Sequence, residues 1–129
     1  MKSESYKGKV DLYNPESPTD LTEEYLTIFE LFGEGYVDML KISFTNLNDV
    51  YVKVTIDDET YYELLLEDLK NKINLNKDEQ DTFLNTAGSS FSDSYPIPLL
   101  FENSLKVEAK KIRGNKRVKG AIIRYRLGV

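Results

Sequence analysis

Two segments, residues 36–44 and 50–56, alternate between apolar and polar side chains, and no other feature constrains the fold as much. A polar turn at 46–49 separates them. Successive side chains of a strand point to opposite faces, so a period of two is typical of half-buried strands. The pattern predicts an antiparallel hairpin inside an all-β domain. Its apolar positions are Leu40, Ile42, Phe44, Val50, Val52, Val54 and Ile56.

Similar patterns predict further strands over residues 7–13, 25–32, 99–102, 105–110 and 117–127. For the second of these, a helix over 21–32 is the alternative, because Asp20 followed by Glu23 imitates a capping box. The β-branched and aromatic residues of that segment favour the strand.

The middle of the chain is less regular. An acidic turn, Asp57-Asp58-Glu59, leads into an apolar run, and a fourfold spacing then predicts a short helix over Glu67–Ile73. Residues 74–94 are polar and predict a long loop, with a helical turn at 77–84. Residues 95–98 contain two prolines and predict an edge segment, since proline cannot donate to a strand ladder.

These elements predict one domain over residues 1–129, with residues 1–5 flexible. The expected architecture is an antiparallel β-sandwich, jelly-roll-like, with about eight strands and one or two short helices. Its core is expected to comprise Leu40, Ile42, Phe44, Val50, Val52, Val54, Ile56, Leu64, Leu99, Phe101, Leu105, Val107, Ile123 and Tyr125.

The last two predicted strands, 105–110 and 117–127, are expected to form a hairpin turning at Arg113–Lys116. Simple pairing would set Leu105 against Arg124, so one extra residue is needed to align the apolar side chains. A β-bulge at Lys119-Gly120 supplies it, because glycine tolerates the geometry. The same shift would place Lys106 opposite Arg124 on the outer face.

The composition excludes several kinds of chemistry. The chain contains neither histidine nor cysteine, which rules out serine-histidine-aspartate and cysteine-histidine catalysis, disulfides and thiolate metal sites. Asp57-Asp58-Glu59 lacks the ligand spacing of a calcium loop, and the 22 acids show no distinguished pair. We therefore predict no enzyme activity, no catalytic residue, no metal and no cofactor.

Charge is distributed very unevenly along the sequence. Residues 105–129 carry nine of the 17 basic side chains and only one of the 22 acidic ones, Glu108. This asymmetry indicates a polyanionic partner, a complementary surface on another subunit, or pairing with acidic neighbours inside the fold. The candidate partner-binding residues are Lys106, Lys110, Lys111, Arg113, Lys116, Arg117, Lys119, Arg124 and Arg126.

The N-terminus has no apolar stretch typical of a signal peptide, and no apolar run approaches the roughly 18 residues of a membrane span. We expect synthesis in a cytoplasm, no secretion by signal peptide and no membrane partner.

Three segments in order carry a resemblance: Gly35-Tyr36-Val37, then residues 52–58, then the return through residues 96–107. Over about residues 33–127 the chain resembles small β-sandwich structural proteins of tailed bacteriophage virions. The resemblance implies a non-enzymatic virion component: a capsid decoration protein, a head-fibre base, or a neck or tail accessory protein. Its partners would be copies of itself, in a homo-oligomer such as a trimer, and other virion proteins.

The alternative is a β-sandwich module that binds nucleic acid or carbohydrate. Nucleic-acid binding needs stacking aromatics beside the basic residues, and Tyr125 lies on the inward parity. Sugar platforms usually include tryptophan, which the chain lacks.

Overall fold

A computed structural model describes residues 9–66, the backbone of 82–86, and residues 99–128. All ten elements in these ranges are strands. They are β1 (Lys9–Tyr13), β2 (Thr19–Asp20), β3 (Leu26–Phe32), β4 (Gly35–Phe44), β5 (Val50–Ile56), β6 (Glu59–Leu65), β7 (Thr82–Thr86), β8 (Leu99–Phe101), β9 (Ser104–Lys111) and β10 (Arg117–Leu127).

The strands form two antiparallel sheets that pack against each other. Sheet A has the order β1-β10-β4-β7, with β2 on the same side of β10 as β1, and β8 on the same side of β4 as β7. Sheet B has the order β3-β9-β5-β6. Each sheet therefore has four positions across its width.

The strand pairs are nested along the chain. The outermost pair is β1 with β10, followed inward by β3 with β9, β4 with β7 and β8, and β5 with β6. A long antiparallel ribbon wrapped into two facing sheets gives this order, which is that of a jelly roll. The predicted all-β, jelly-roll-like sandwich is confirmed.

The core lies between the sheets and follows the predicted parity. All the residues expected there are buried except Ile56 and Leu64, which are half-buried and pack against the cluster. Strand β3 adds Ile28, Phe29 and Leu31, because a register shift between Thr27 and Phe29 turns two consecutive side chains inward. The alternative helix over residues 21–32 is therefore wrong, since residues 21–25 are not helical either.

The predicted hairpin over residues 36–56 is wrong, although its alternation is right. Strand β4 belongs to sheet A and β5 to sheet B, so residues 45–49 cross between the sheets. The backbone of this crossing is bonded to the start of β10 and to the β9–β10 connection: Thr45 donates to Arg117 O (3.0 Å), and Ile112 donates to Asp49 O (2.8 Å). Parity identifies the buried face of a strand, but it does not identify the neighbouring strand.

The predicted hairpin between residues 105–110 and 117–127 is also wrong, since β9 pairs with β3 and β5 while β10 pairs with β1 and β4. Lys106 lies opposite Glu30 and Thr55, not opposite Arg124. A bulge does occur where it was predicted, between Val118 and Gly120, but it is against β4.

Residues 82–86 form β7, so the predicted loop over 74–94 and the helical turn at 77–84 are wrong for those residues. The predicted helix at 67–73, the edge segment at 95–98, the flexible residues 1–5 and the rest of the polar segment lie outside the described residues.

Candidate interaction surfaces

The nine basic residues singled out in the sequence do not form one surface. Because β9 and β10 belong to different sheets, Lys106 and Lys110 lie on the outer face of sheet B. Arg124 lies on the outer face of sheet A, on the far side of the sandwich. The β9–β10 connection carries Arg113 and Lys116 at one end of the molecule.

Each of these nine side chains has a partner within the chain. The contacts are Lys106 with Glu108 (3.9 Å), Lys110 with Tyr25 and Tyr51, Lys111 with Gly114 O (2.8 Å), Arg113 with Asp49 (3.5 Å), Lys116 with Asn46 (3.3 Å), Arg117 with Asp20 (2.8 Å), Arg124 with Asp38 (2.7 Å) and Arg126 with Tyr36, while Lys119 has an interaction of its own. Exposed pairs of this kind contribute little to stability, but they reduce the charge available to a partner.

The sheet B outer face is organised around Tyr25. Its ring lies 4.7 Å from Lys110 Nζ and 5.2 Å from Lys53 Nζ, and its hydroxyl donates a hydrogen bond to Glu63. Lys110 also lies 5.6 Å from the ring of Tyr51. Both ammonium groups are thus held against aromatic faces, where the ring quadrupole attracts them.

Carboxylates complete this face. Lys53 on β5 lies directly opposite Glu108 on one side and Glu63 on the other, and opposite charges in such positions attract. Glu108 is only 9% exposed. Burial raises the pKa of the Tyr25 hydroxyl far above its usual range, and the bond to Glu63 and the charge of Glu108 raise it further. The hydroxyl therefore stays protonated and remains a donor.

The sheet A outer face is different, because aliphatic side chains are exposed on both of its edges. Val10 and Leu12 on the edge strand β1 are 52% and 63% exposed, and Leu100 on the opposite edge is 66% exposed. Leu12 lies opposite the half-buried Ile122, which lies opposite Lys41. Apolar side chains left exposed on a sheet face are candidates for a contact surface where they form a continuous patch.

A groove crosses this face where β10 bulges. Its open volume is about 310 Å³, and Lys41 is the single charged residue among those that line it. Gly120 leaves room at the bulge, since a Cβ there would meet Tyr13 O at 3.3 Å. The lining residues are Leu12, Tyr13, Asn14, Lys41, Ser43, Gly120, Ala121 and Ile122. Leu12, Ala121 and Ile122 make part of the lining apolar, and Lys41 supplies a positive charge.

One end of the sandwich is acidic. The β3–β4, β5–β6 and β8–β9 connections meet there, and their charged residues are Glu34, Asp57, Asp58 and Glu102. Asp57 joins two of the connections by accepting N–H bonds from residues 102, 103 and 104, at 2.6–3.1 Å. These bonds lower the pKa of Asp57 below its usual value. Phe32, 68% exposed, immediately precedes the first of the connections.

Asp57 and Asp58 both adopt positive φ, 52° and 65°, as a two-residue hairpin turn of type I′ requires. The acidic turn predicted from the sequence is therefore a structural element joining β5 and β6. In the ranges that the structure describes, no group of three or more acidic side chains is arranged to hold a metal ion.

Sequence reasoning did not identify Val10, Leu12, Phe32 and Leu100 as surface residues. Alternation shows that Val10 and Leu12 share a face, but it assigns apolar residues to the interior. No local signal corrects this, because the other parity of β1, Lys9, Asp11 and Tyr13, is polar and itself predicts that Val10 and Leu12 are buried. In the fold the polar parity is satisfied instead: the Tyr125 hydroxyl donates a hydrogen bond to Asp11 at 2.9 Å.

The fold and its faces define an all-β jelly-roll sandwich with one charge-compensated outer face and one partly apolar outer face. No protein-family model matches the sequence, and no curated protein is significantly similar to it. Within the described ranges, no helix is long and apolar enough to cross a membrane.

Proposed function

We propose that this chain is a non-enzymatic structural protein of a tailed-phage virion that acts through protein–protein contacts. Capsid decoration, a head-fibre base, and a neck or tail accessory position are the roles that the sequence resemblance implies. Jelly rolls serve viral capsids but also lectins and cupins, so the fold alone does not select this role.

The observation that carries the proposal is the sheet A outer face. Val10, Leu12 and Leu100 are each more than half exposed, and they share a sheet face with the ion-paired Arg124. Protein–protein interfaces combine an apolar centre with arginine and a polar rim. In a repeated assembly each copy needs only a modest contact of this kind, since symmetry multiplies it.

The distribution of basic residues supports protein contacts over a nucleic-acid groove. A strand-tracking site needs a continuous basic path with exposed aromatic rings. Here the nine cations are spread over two opposite faces and one end. The rings nearest to them on sheet B, Tyr25 and Tyr51, are already in contact with Lys110.

The test is the composition of virus particles. An epitope-tagged chain expressed during a phage infection is expected to co-sediment with intact particles and to appear in their mass spectra in fixed stoichiometry to the capsid protein. Absence from purified particles of a phage that encodes the chain would overturn the proposal. A capsid gene or portal gene beside the coding sequence is the accompanying genomic expectation.

A further inference from the structure

Two surface features in the described part of the chain complement each other. The groove on the sheet A outer face has a partly apolar lining that includes Lys41. The acidic end carries Phe32, the most exposed of the large apolar side chains, followed two residues later by Glu34. One feature is a concave apolar site with a positive charge, and the other is a projecting aromatic ring among negative charges.

We propose that the acidic end of one copy docks on the sheet A outer face of a second copy, with Phe32 entering the groove beside Leu12 and Ile122. This inference deepens the assembly role proposed above and rests on it. The partner is a second copy of the same chain, and the contact joins two different patches of the molecule.

Charge complementarity selects this occupant. The connections of the acidic end carry Glu34, Asp57, Asp58 and Glu102, and none of their residues is basic. On the receiving face, the acidic residue Asp38 is already paired with Arg124 at 2.7 Å, while the exposed Lys41 lines the groove. A second sheet A outer face would instead bring Lys41 and Arg124 toward the same cations of its partner, and like charges repel.

Burial gives the contact its driving force. Phe32 and Leu12 are 68% and 63% exposed in the isolated chain, so their contact removes apolar surface from water on both partners. An aromatic side chain in a pocket of a neighbouring molecule is a common anchor of interfaces. The connections beside Phe32 at the acidic end are tied together, because Asp57 accepts hydrogen bonds from three backbone N–H groups of residues 102–104.

The geometry of this contact is heterologous, because the two patches are different. A heterologous contact produces a ring when the rotation between copies closes and a filament when it does not. Each copy offers one acidic end and one groove, so blocking either patch stops growth at that side only. This property provides the decisive experiment.

The experiment uses two variants of the full chain, Phe32→Asp and Leu12→Asp, measured by light scattering and sedimentation velocity. We expect the wild-type protein to associate with increasing concentration and each variant alone to stay monomeric, with the dissociation constant raised at least about tenfold. An equimolar mixture should form a one-to-one dimer, because Leu12→Asp retains the acidic end and Phe32→Asp retains the groove. Tyr61→Asp, an exposed aromatic outside both patches, is the control and should associate like the wild type.

Both substituted residues are exposed, so circular dichroism and melting temperature should match the wild type. If either fails to fold, Phe32→Ser and Leu12→Ser replace the pair. A second test reverses the charges: Lys41→Glu should weaken association, Glu34→Lys should weaken it too, and mixing the two should restore it. Association should also weaken as salt rises.

Three results would overturn the inference: a wild-type protein that stays monomeric at millimolar concentration, a Phe32→Asp variant that associates normally, or a mixture that forms no dimer. If Leu12→Asp loses association while Phe32→Asp keeps it, two sheet A outer faces pair with each other, which also contradicts the inference. Failure here leaves the proposed virion role intact if the chain is found in particles. A chain absent from particles that still dimerises on mixing would overturn the role and leave the contact standing.

Discussion

On the outer face of sheet B, Lys53 lies between Glu63 and Glu108, and the Tyr25 ring lies against two ammonium groups. The outer face of sheet A instead leaves Leu12 and Leu100 open to water. The centre of the first face satisfies its polar groups within the chain, although Phe32 is exposed on its edge strand, whereas the second face leaves aliphatic side chains uncovered. Substitutions around Tyr25 and Glu108 on sheet B should therefore change folding stability, and substitutions of the exposed aliphatic residues on sheet A should change association.

The largest loss of folding stability should come from a substitution in the interior of sheet A, whereas substitutions on the outer face of this sheet should cost little. Gly35 on β4 is so close to β10 that a Cβ would lie 2.1 Å from Arg126 O. Gly35→Ala must move one backbone away from the other, so we expect about 3 kcal/mol of destabilisation by urea unfolding. Gly120→Ala, whose Cβ would lie 3.3 Å from the nearest atom, is the control and should lose less.

On sheet B, Glu108→Ala should destabilise the protein by about 2 kcal/mol, because it removes a nearly buried carboxylate opposite Lys53 and beside Lys106. The matched control is Glu30→Ala on the same face. Glu30 is exposed, and its loss should change stability by less than about 0.5 kcal/mol. Equal effects in chemical denaturation would show that the face is not organised around Glu108.

Tyr25 allows the ring and the hydroxyl to be separated. Tyr25→Leu removes the aromatic contact with Lys53 and Lys110 and should destabilise by about 1–2 kcal/mol. Tyr25→Phe keeps the ring, loses the donor to Glu63, and should destabilise by about 0.5–1 kcal/mol. We expect Tyr25→Leu to lose more stability than Tyr25→Phe, and thermal melts of both variants test this order. The reverse order would assign the stabilisation to the hydrogen bond.

The acidic end connects the two faces, and its stability should depend on pH. The pKa of Asp57 is lowered by the N–H groups of Asn103, Glu102 and Ser104, so the ionised form is favoured in the folded state. Its contribution is present above the unfolded pKa near 3.8 and is lost as pH falls through the lower folded value. Asp57→Asn should therefore unfold more easily than wild type at pH 6, and this difference should shrink toward pH 2.

The smallest effect is expected on the sheet A outer face itself. Val10→Thr and Leu12→Thr replace exposed residues with threonine, a β-branched side chain that suits a strand, so unfolding free energies should stay within about 0.5 kcal/mol of wild type. A loss comparable to that of Tyr25→Leu would show that this face is part of the folded core, and the contrast between the two faces would disappear.

The sequence identified the buried parity of most strands but not their neighbours. Leu40, Ile42 and Phe44 are fully buried as expected, since alternation follows directly from strand geometry. Partners were wrong because a jelly roll separates consecutive strands into different sheets, and nothing in residues 45–49 distinguishes a crossing from a hairpin. The bulge at Gly120 was nevertheless located correctly, because glycine marks irregular pairing whichever strand lies beside it.

The candidate surfaces were less predictable than the fold. The contact of Tyr25 with Lys110 joins residues 85 positions apart, and no local pattern encodes it. The basic set was treated as one surface because its members are close in sequence. The basic set is divided in the fold because β9 and β10 belong to opposite sheets, and only the pairing of both strands reveals this. Exposure of Leu12 depends on β1 lying at an edge, which is likewise a property of the whole fold.

The pairing of β1 with β10 has a consequence for biosynthesis. Lys9 lies opposite Tyr125, so β1 cannot form its strand pairing during synthesis until β10 has been translated. Until then β4 also lacks its neighbour on one side, because the 11-residue strand β10 lies between β1 and β4 in sheet A. Nascent chains translated side by side therefore present matching vacant edges, and exchange of β10 between them is the misassembly that this topology favours.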